Sequence, residues 1–268
     1  MYKWCFKHKR LFVFLWCVPI STLLYLYVQK NNGPLWIVYF LFFSLLLSSL
    51  ALLSGYPKKL SIKKINLLNE KCDPYPFINE MEDQLSYNRS KTNEQYLLTM
   101  YCYGLLSIGD FKKVKEILES INIDKYNGIL QITKVLYYMN LASAYLGLDD
   151  IEKAEIWQNK SKQINNDVSK FQKRYNLELS NLNEIEITIR KKDYDKAINL
   201  IEQSSYINLK SVVRAALLLA GIYIAQERIE EAKVKLEFVI KSGNKLFDVQ
   251  KAEQFLKEIQ SYMLDKEA

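Results

Sequence analysis

The stretch YMNLASAYLGLDDIEKAEIW, residues 138–157, decides the fold. Tyr138, Leu141, Ala142 and Tyr145 recur at three- and four-residue intervals, which puts them on one face of a helix. GLDD follows, and Asp149 and Asp150 are of the residue type that caps a helix start. Ile151 and Ala154 then resume the helical spacing. Two helices joined by a short turn are therefore expected.

The second half of this pattern recurs along the chain. GDFKKVKEILESI (109–121), DDIEKAEIWQNKS (149–161), KDYDKAINLIEQS (192–204) and ERIEEAKVKLEFV (227–239) share one layout. Each has a polar pair, an aromatic or β-branched residue, two polar residues, then a small or apolar one. Those last residues, Val114, Ala154, Ala197 and Ala232, are spaced 40, 43 and 35 apart. Periods of this size signal a helical solenoid. One helical hairpin cannot bury both apolar faces, whereas stacked hairpins bury a continuous core. From about residue 74 the apolar spacing is helical throughout and proline disappears after Pro76. Asp73-Pro74 marks a helix start. PFINEMEDQLS begins the array, and Lys245 to Asp265 caps it through Leu246, Val249, Ala252, Leu256, Ile259 and Met263.

These residues resemble the tetratricopeptide repeat (TPR) family over about residues 94–243. Tyr138, Leu141, Ala142, Tyr145 and Ala154 occupy its aromatic, leucine, small, tyrosine and alanine places, and the last repeat matches through Leu219, Ala220, Tyr223 and Ala232. The first repeat has Cys102 and Val114 in small places. The third matches through Tyr194 and Ala197, but Glu184 and Thr188 stand where the family has Leu and Tyr. The resemblance implies paired antiparallel helices whose first members line a concave, peptide-binding groove. The groove would take Leu136, Met139, Ser143, Leu146, Arg214, Leu217 and Ile224, and the packing residues would be Tyr138, Leu141, Ala142, Tyr145, Ala154, Ala197, Leu219, Ala220, Tyr223 and Ala232.

The N-terminal part reads differently. Leu35 to Ser54 (LWIVYFLFFSLLLSSLALLS) is uncharged and holds eight Leu and three Phe. At about 1.5 Å per residue its twenty residues would cover a ~30 Å hydrocarbon core. Leu11 to Val28 is also uncharged, and QKNNGP (29–34) is turn chemistry. A two-helix transmembrane hairpin over 11–55 is expected, with spans at 11–28 and 35–54, behind a basic tail at 1–10. A basic and polar linker with short helices fills 56–93, and a capping helix fills 244–268. The expected fold class is thus all-α: a transmembrane hairpin followed by a TPR-like αα-hairpin solenoid. CDPYPFINEME after two spans resembles the start of the array in bacterial membrane-anchored TPR proteins.

The chain carries a net charge of +7. Residues 1–10 hold +4, Lys30 adds +1, residues 57–71 add +4, and the remainder stands at −2. The basic excess flanks the apolar stretches, so nucleic acid is not an expected partner. Lys and Arg counts put both termini in the cytoplasm of a multi-pass plasma-membrane protein, with the lipid bilayer as a partner. The four cysteines show no metal-type spacing, and the one histidine, His8, sits in the basic tail. That excludes a Ser-His-Asp triad in a folded site. No phosphate-binding glycine loop occurs among the 8 Gly. Glu80, Glu82 and Asp83 read as an exposed helix face, and Glu230-Glu231 as a favourable helix start. The expectation is a non-catalytic, membrane-anchored scaffold that binds a protein or peptide and uses no cofactor or metal. The alternative is an accessory subunit of a membrane transporter or enzyme complex, contacted through the hairpin and its Ser44, Ser48, Ser49 and Ala51.

Overall fold

The computed structural model describes residues 9–31, 34, 36–88, 90–125, 130–165 and 170–267. Among them the chain is all-α. Twelve helices follow one another: α1 (Lys9–Lys30), α2 (Trp36–Lys71), α3 (Tyr75–Tyr87), α4 (Lys91–Leu106), α5 (Phe111–Glu119), α6 (Gln131–Gly147), α7 (Ile151–Asn165), α8 (Lys170–Arg190), α9 (Tyr194–Gln203), α10 (Leu209–Ala225), α11 (Ile229–Ser242) and α12 (Phe247–Glu267). The chain divides into two compact units, Met1–Lys63 and Lys64–Ala268.

The first unit corrects the expected transmembrane hairpin. Among the described residues no helix is long and apolar enough to cross a membrane. The apolar stretch starting at Leu35 does not end as a separate span at residue 54. From Trp36 it belongs to α2, which runs on to Lys71 through Lys63 and Lys64. A multi-pass plasma-membrane location with cytoplasmic termini is overturned by the same finding, and the bilayer loses its support as a partner. So does the likeness to two-span anchored proteins. The basic tail at 1–8 and part of the expected turn (32, 33 and 35) lie outside the described residues. Within this unit Cys17, Val28 and Val38 are buried, and Cys17 Sγ lies 4.0 Å from Ser49 Oγ. Leu23, Leu26, Trp36, Phe40 and Leu47 are exposed. Ser48 and Ser49 hydroxyls donate to their own helix at Leu45 O, and Ala51 lies among residues whose side chains are not described.

The second unit is a helical solenoid of four TPR-like hairpins, α4–α5, α6–α7, α8–α9 and α10–α11, preceded by α3 and followed by α12. First helices contact in succession (α4–α6–α8–α10–α12), and each second helix also packs on the next first helix. The turn inside every hairpin is built alike. A left-handed residue, Gly109, Asp149, Lys192 or Glu227, ends the first helix. The next residue's N–H reaches back to Leu105, Tyr145, Thr188 or Tyr223 O at 2.8–3.2 Å. Asp110, Asp150 and Asp193 then cap the second helix by accepting from the N–H three residues on. Arg228 fills this place in the last hairpin without a side-chain cap. The third hairpin, whose first helix matches poorly in sequence, shares this geometry, so its register is fixed by the turn.

Alanine at the crossing points is fully buried: Ala142, Ala154, Ala197, Ala220 and Ala232 have no exposed surface. Tyr138, Leu141 and Tyr145 are also buried, whereas Leu219 and Tyr223 are partly buried against the core. The Tyr138 ring stacks on Trp157 with centres 5.6 Å apart, joining α6 to α7. Successive first helices are stapled by buried amides: Asn140 Nδ2 donates to Thr99 O (2.9 Å), and Asn183 Nδ2 donates to Met139 O (3.1 Å). One hydrophobic cluster runs from Leu68 to Ile259, and a second joins α8, α9 and α10 through Ile185, Ala197 and Ile222.

The two ends of the array meet. Lys245 N–H donates to Cys72 O (3.2 Å), Asn244 Nδ2 to Lys71 O (2.8 Å) and Phe247 N–H to Ser107 O (2.9 Å). Lys245 pairs with Asp73 at 2.8 Å, and the Phe111 and Phe247 rings meet edge to face at 5.2 Å. Gly109 has φ +80°, and a Cβ there would sit 2.4 Å from the Phe247 ring, so glycine serves both the turn and the closure.

Candidate functional site

Closure of the array turns the concave face of the first helices into a cavity of about 510 Å³. All four first helices line it. Tyr96, Met100 and Tyr103 follow one another along α4 at the spacing of one helix face. Leu136 and Met139 come from α6, Leu179 and Leu182 from α8, and Lys210 and Arg214 from α10. The end of α2 adds Ile65 and Asn69, and the clasp adds Ser107, Phe111 and Phe247. Tyr96 and Leu130 are 44% and 65% exposed, so this side is the mouth. A pocket of this size with mostly apolar walls and a few polar groups fits a ligand or an inserted side chain.

The polar groups are unequally committed. Arg214 donates to Glu186 Oε2 (2.6 Å) and Asp248 Oδ1 (2.7 Å), tying α8, α10 and α12 together. Burial works against the Arg214 charge, but the two carboxylates more than offset it and raise its pKa. Glu178 accepts from Ile207 N–H, Asn208 Nδ2 (2.7 Å) and Ser211 Oγ (3.2 Å), holding the start of α10. Lys210 has no such partner. Its Nζ lies 3.7 Å from the centre of the Tyr103 ring, and no carboxylate among the described residues pairs with it. Its charge is felt nearby: burial pushes the Cys72 thiol up to about 11, and Lys210 opposes that rise. The Tyr103 hydroxyl donates to Asn69 Oδ1 at 3.2 Å. Among the described residues no group of three or more His, Cys, Asp or Glu is placed to hold a metal ion.

Of the seven expected groove residues, Leu136, Met139, Ser143 and Arg214 line this cavity. Leu146 and Leu217 are buried in the main core, and Ile224 packs against it. Ser143 donates to Asn183 Oδ1 at 2.8 Å. Sequence reasoning missed Lys210, Asn69, Phe247 and Asp248. Lys210 carried a signal, since it stands four residues before Arg214 and shares its helix face. Asn69 and Phe247 carried none, because closure alone brings them to the site. Glu80 is buried and accepts from Gln84, and Glu82 accepts from the Tyr101 hydroxyl at 2.6 Å, so two members of that acidic run are engaged in the fold.

Residues 135–168 match the tetratricopeptide repeat. No curated protein and no solved structure matches the chain. The matched residues are those of α6 and α7, which contribute Leu136, Met139 and Ser143 to the cavity.

Proposed function

We propose that this chain is a non-catalytic scaffold that holds a segment of a partner protein at the mouth of the first-helix cavity. A tetratricopeptide repeat suggests a protein–protein interaction scaffold, and α6–α7 carries that repeat. The observation that carries the reading further is the cavity itself. The first helices of all four hairpins converge on one space, edged by the exposed apolar side chains Tyr96 and Leu130. Apolar rims around a concave pocket are where partner side chains gain most from leaving water. The carboxylates on the wall accept hydrogen bonds that hold helices together, which supports a shaping role for them.

The test is site-specific photo-crosslinking in the full chain, in the cells that make it. A photoreactive phenylalanine replaces Leu130 at the mouth or Val234 on α11, which is exposed and outside the cavity lining. The expected result is a discrete protein adduct from position 130 that is absent from position 234 and lost when Leu136→Trp fills the cavity. Equal adducts from both positions, or adducts indifferent to Leu136→Trp, would overturn the reading.

A further inference from the structure

The inner end of the cavity carries a chemistry that the mouth does not. Seven residues separate Tyr96 from Tyr103 along α4, so roughly 10 Å of apolar wall lead inward from the mouth. The clasp borders the same space through Ser107, Phe111 and Phe247, where the two ends of the array are bonded together.

At that end the donors and acceptors do not balance. Arg214 is taken up by Glu186 and Asp248, and Glu178 is filled by three donors. Lys210 alone is a lining cation without a carboxylate, held against the Tyr103 face by cation–π attraction. Asn69 stands beside it through the Tyr103 hydroxyl; its Oδ1 is used, and its Nδ2 has no acceptor among the described residues. Two unused donor groups thus frame one aromatic ring at the clasp side of an apolar passage. A dianion such as a phosphate is disfavoured, because Lys210 offers it one unpaired positive charge while the other lining charges, Arg214 against Glu178, Glu186 and Asp248, already sum to −2. A single carboxylate pairs with Lys210 one to one.

We propose that the cavity binds an amphiphilic monocarboxylic acid, its carboxylate on Lys210 and Asn69 and its apolar body along Tyr96, Met100, Leu136 and Leu182. This goes beyond the partner reading and does not depend on it, since it concerns the clasp side of the cavity and a small molecule.

Decanoate is the probe and decanol its neutral counterpart, titrated calorimetrically into the full chain. Decanoate is expected to bind at least tenfold more tightly than decanol. Lys210→Met keeps the apolar stem but removes the charge, so the preference should fall to within about threefold while decanol binding is unchanged. Lys210→Arg should restore the preference, and Leu136→Trp should abolish binding of both. Decanoate and decanol binding equally to the unaltered chain would overturn the proposal, as would an undiminished preference in Lys210→Met. The first comparison needs no variant and stands even if a substitution unfolds the protein. Failure of the Leu130 crosslink leaves this result intact, and the reverse also holds.

Discussion

Replacing Arg214 by Met tests how the array holds its curvature. The substitution keeps the aliphatic stem and removes the guanidinium. Two charge-assisted hydrogen bonds, at 2.6 and 2.7 Å, disappear at once. Each is worth about 1.5–3 kcal/mol. They leave behind Glu186 and Asp248, whose side chains are only 11% and 9% exposed. Breaking a buried pair by removing one partner costs roughly 3–5 kcal/mol. Arg190, 3.8 Å from Glu186 Oε1, still offers that carboxylate a distant counter-charge, so the lower end applies, about 3 kcal/mol. At ~2–4 °C per kcal/mol for a unit of this size, Tm should fall by roughly 10 °C. Trp157, stacked on Tyr138, reports the second unit once the other three tryptophans are replaced (W4F, W16F and W36F). Urea unfolding followed by its fluorescence gives the loss. In a Glu186→Gln, Asp248→Asn background the same Arg214→Met change should cost about 1 kcal/mol or less, because no buried charge is left uncompensated. A loss below ~1 kcal/mol in the charged background, or equal losses in both, would refute the argument that the ion triad joins α8, α10 and α12.

Three further outcomes are expected. Lys192 and Glu227 hold left-handed backbone with φ of 64° and 58°; Lys192→Gly should stabilise the unit by about 0.5–1 kcal/mol and Lys192→Val should destabilise it, read as opposite shifts in the urea midpoint. Ala220→Leu at a fully buried crossing should overpack the core and cost roughly 1–3 kcal/mol, so an unchanged midpoint would contradict the packing described for α10. Asp124 has its pKa lowered, first by the hydrogen bond from Lys134 and, against some burial, by Tyr138. Its contribution is therefore present above about pH 4 and lost as pH falls through the lower folded value. Because the side chain is 56% exposed, the effect should stay under ~1 kcal/mol. The Tm difference between the native chain and Asp124→Asn should be measurable at pH 7 and vanish near pH 2; a difference independent of pH would contradict this.

The helical class and the repeat spacing were legible because both depend on local periodicity. Each hairpin turn writes itself into a few adjacent residues: a residue tolerating positive φ, then an aspartate cap in three of four cases. The third hairpin shows the limit. Thr188 stands where Tyr145 stands in the second, yet the carbonyls of both accept the same reverse hydrogen bond. The backbone geometry outlasts the side-chain pattern that sequence reading relies on. The apolar stretches at 11–28 and 35–54 misled, because composition over a fixed window does not show that the second belongs to a 36-residue helix with a polar continuation. The cavity was half legible. A helix that packs on three neighbours is apolar around most of its circumference, so Leu146 and Leu217 could not be told from Leu136 by spacing alone. Its clasp side was illegible, because main-chain groups form much of the contact between residues 71–73 and 243–247.

That clasp fixes how many units the array can hold. In an open solenoid each repeat meets only its neighbours, so units are added or lost without harm to the rest. Here Lys245 meets Asp73 across 172 positions of chain, and this pairing has one span that satisfies it. Duplicating a hairpin would carry Phe247 away from Ser107 and Phe111 and strand both edges in water. The chain is thus constrained like a ring of set circumference: unit number, cavity width and terminal pairing can change only together.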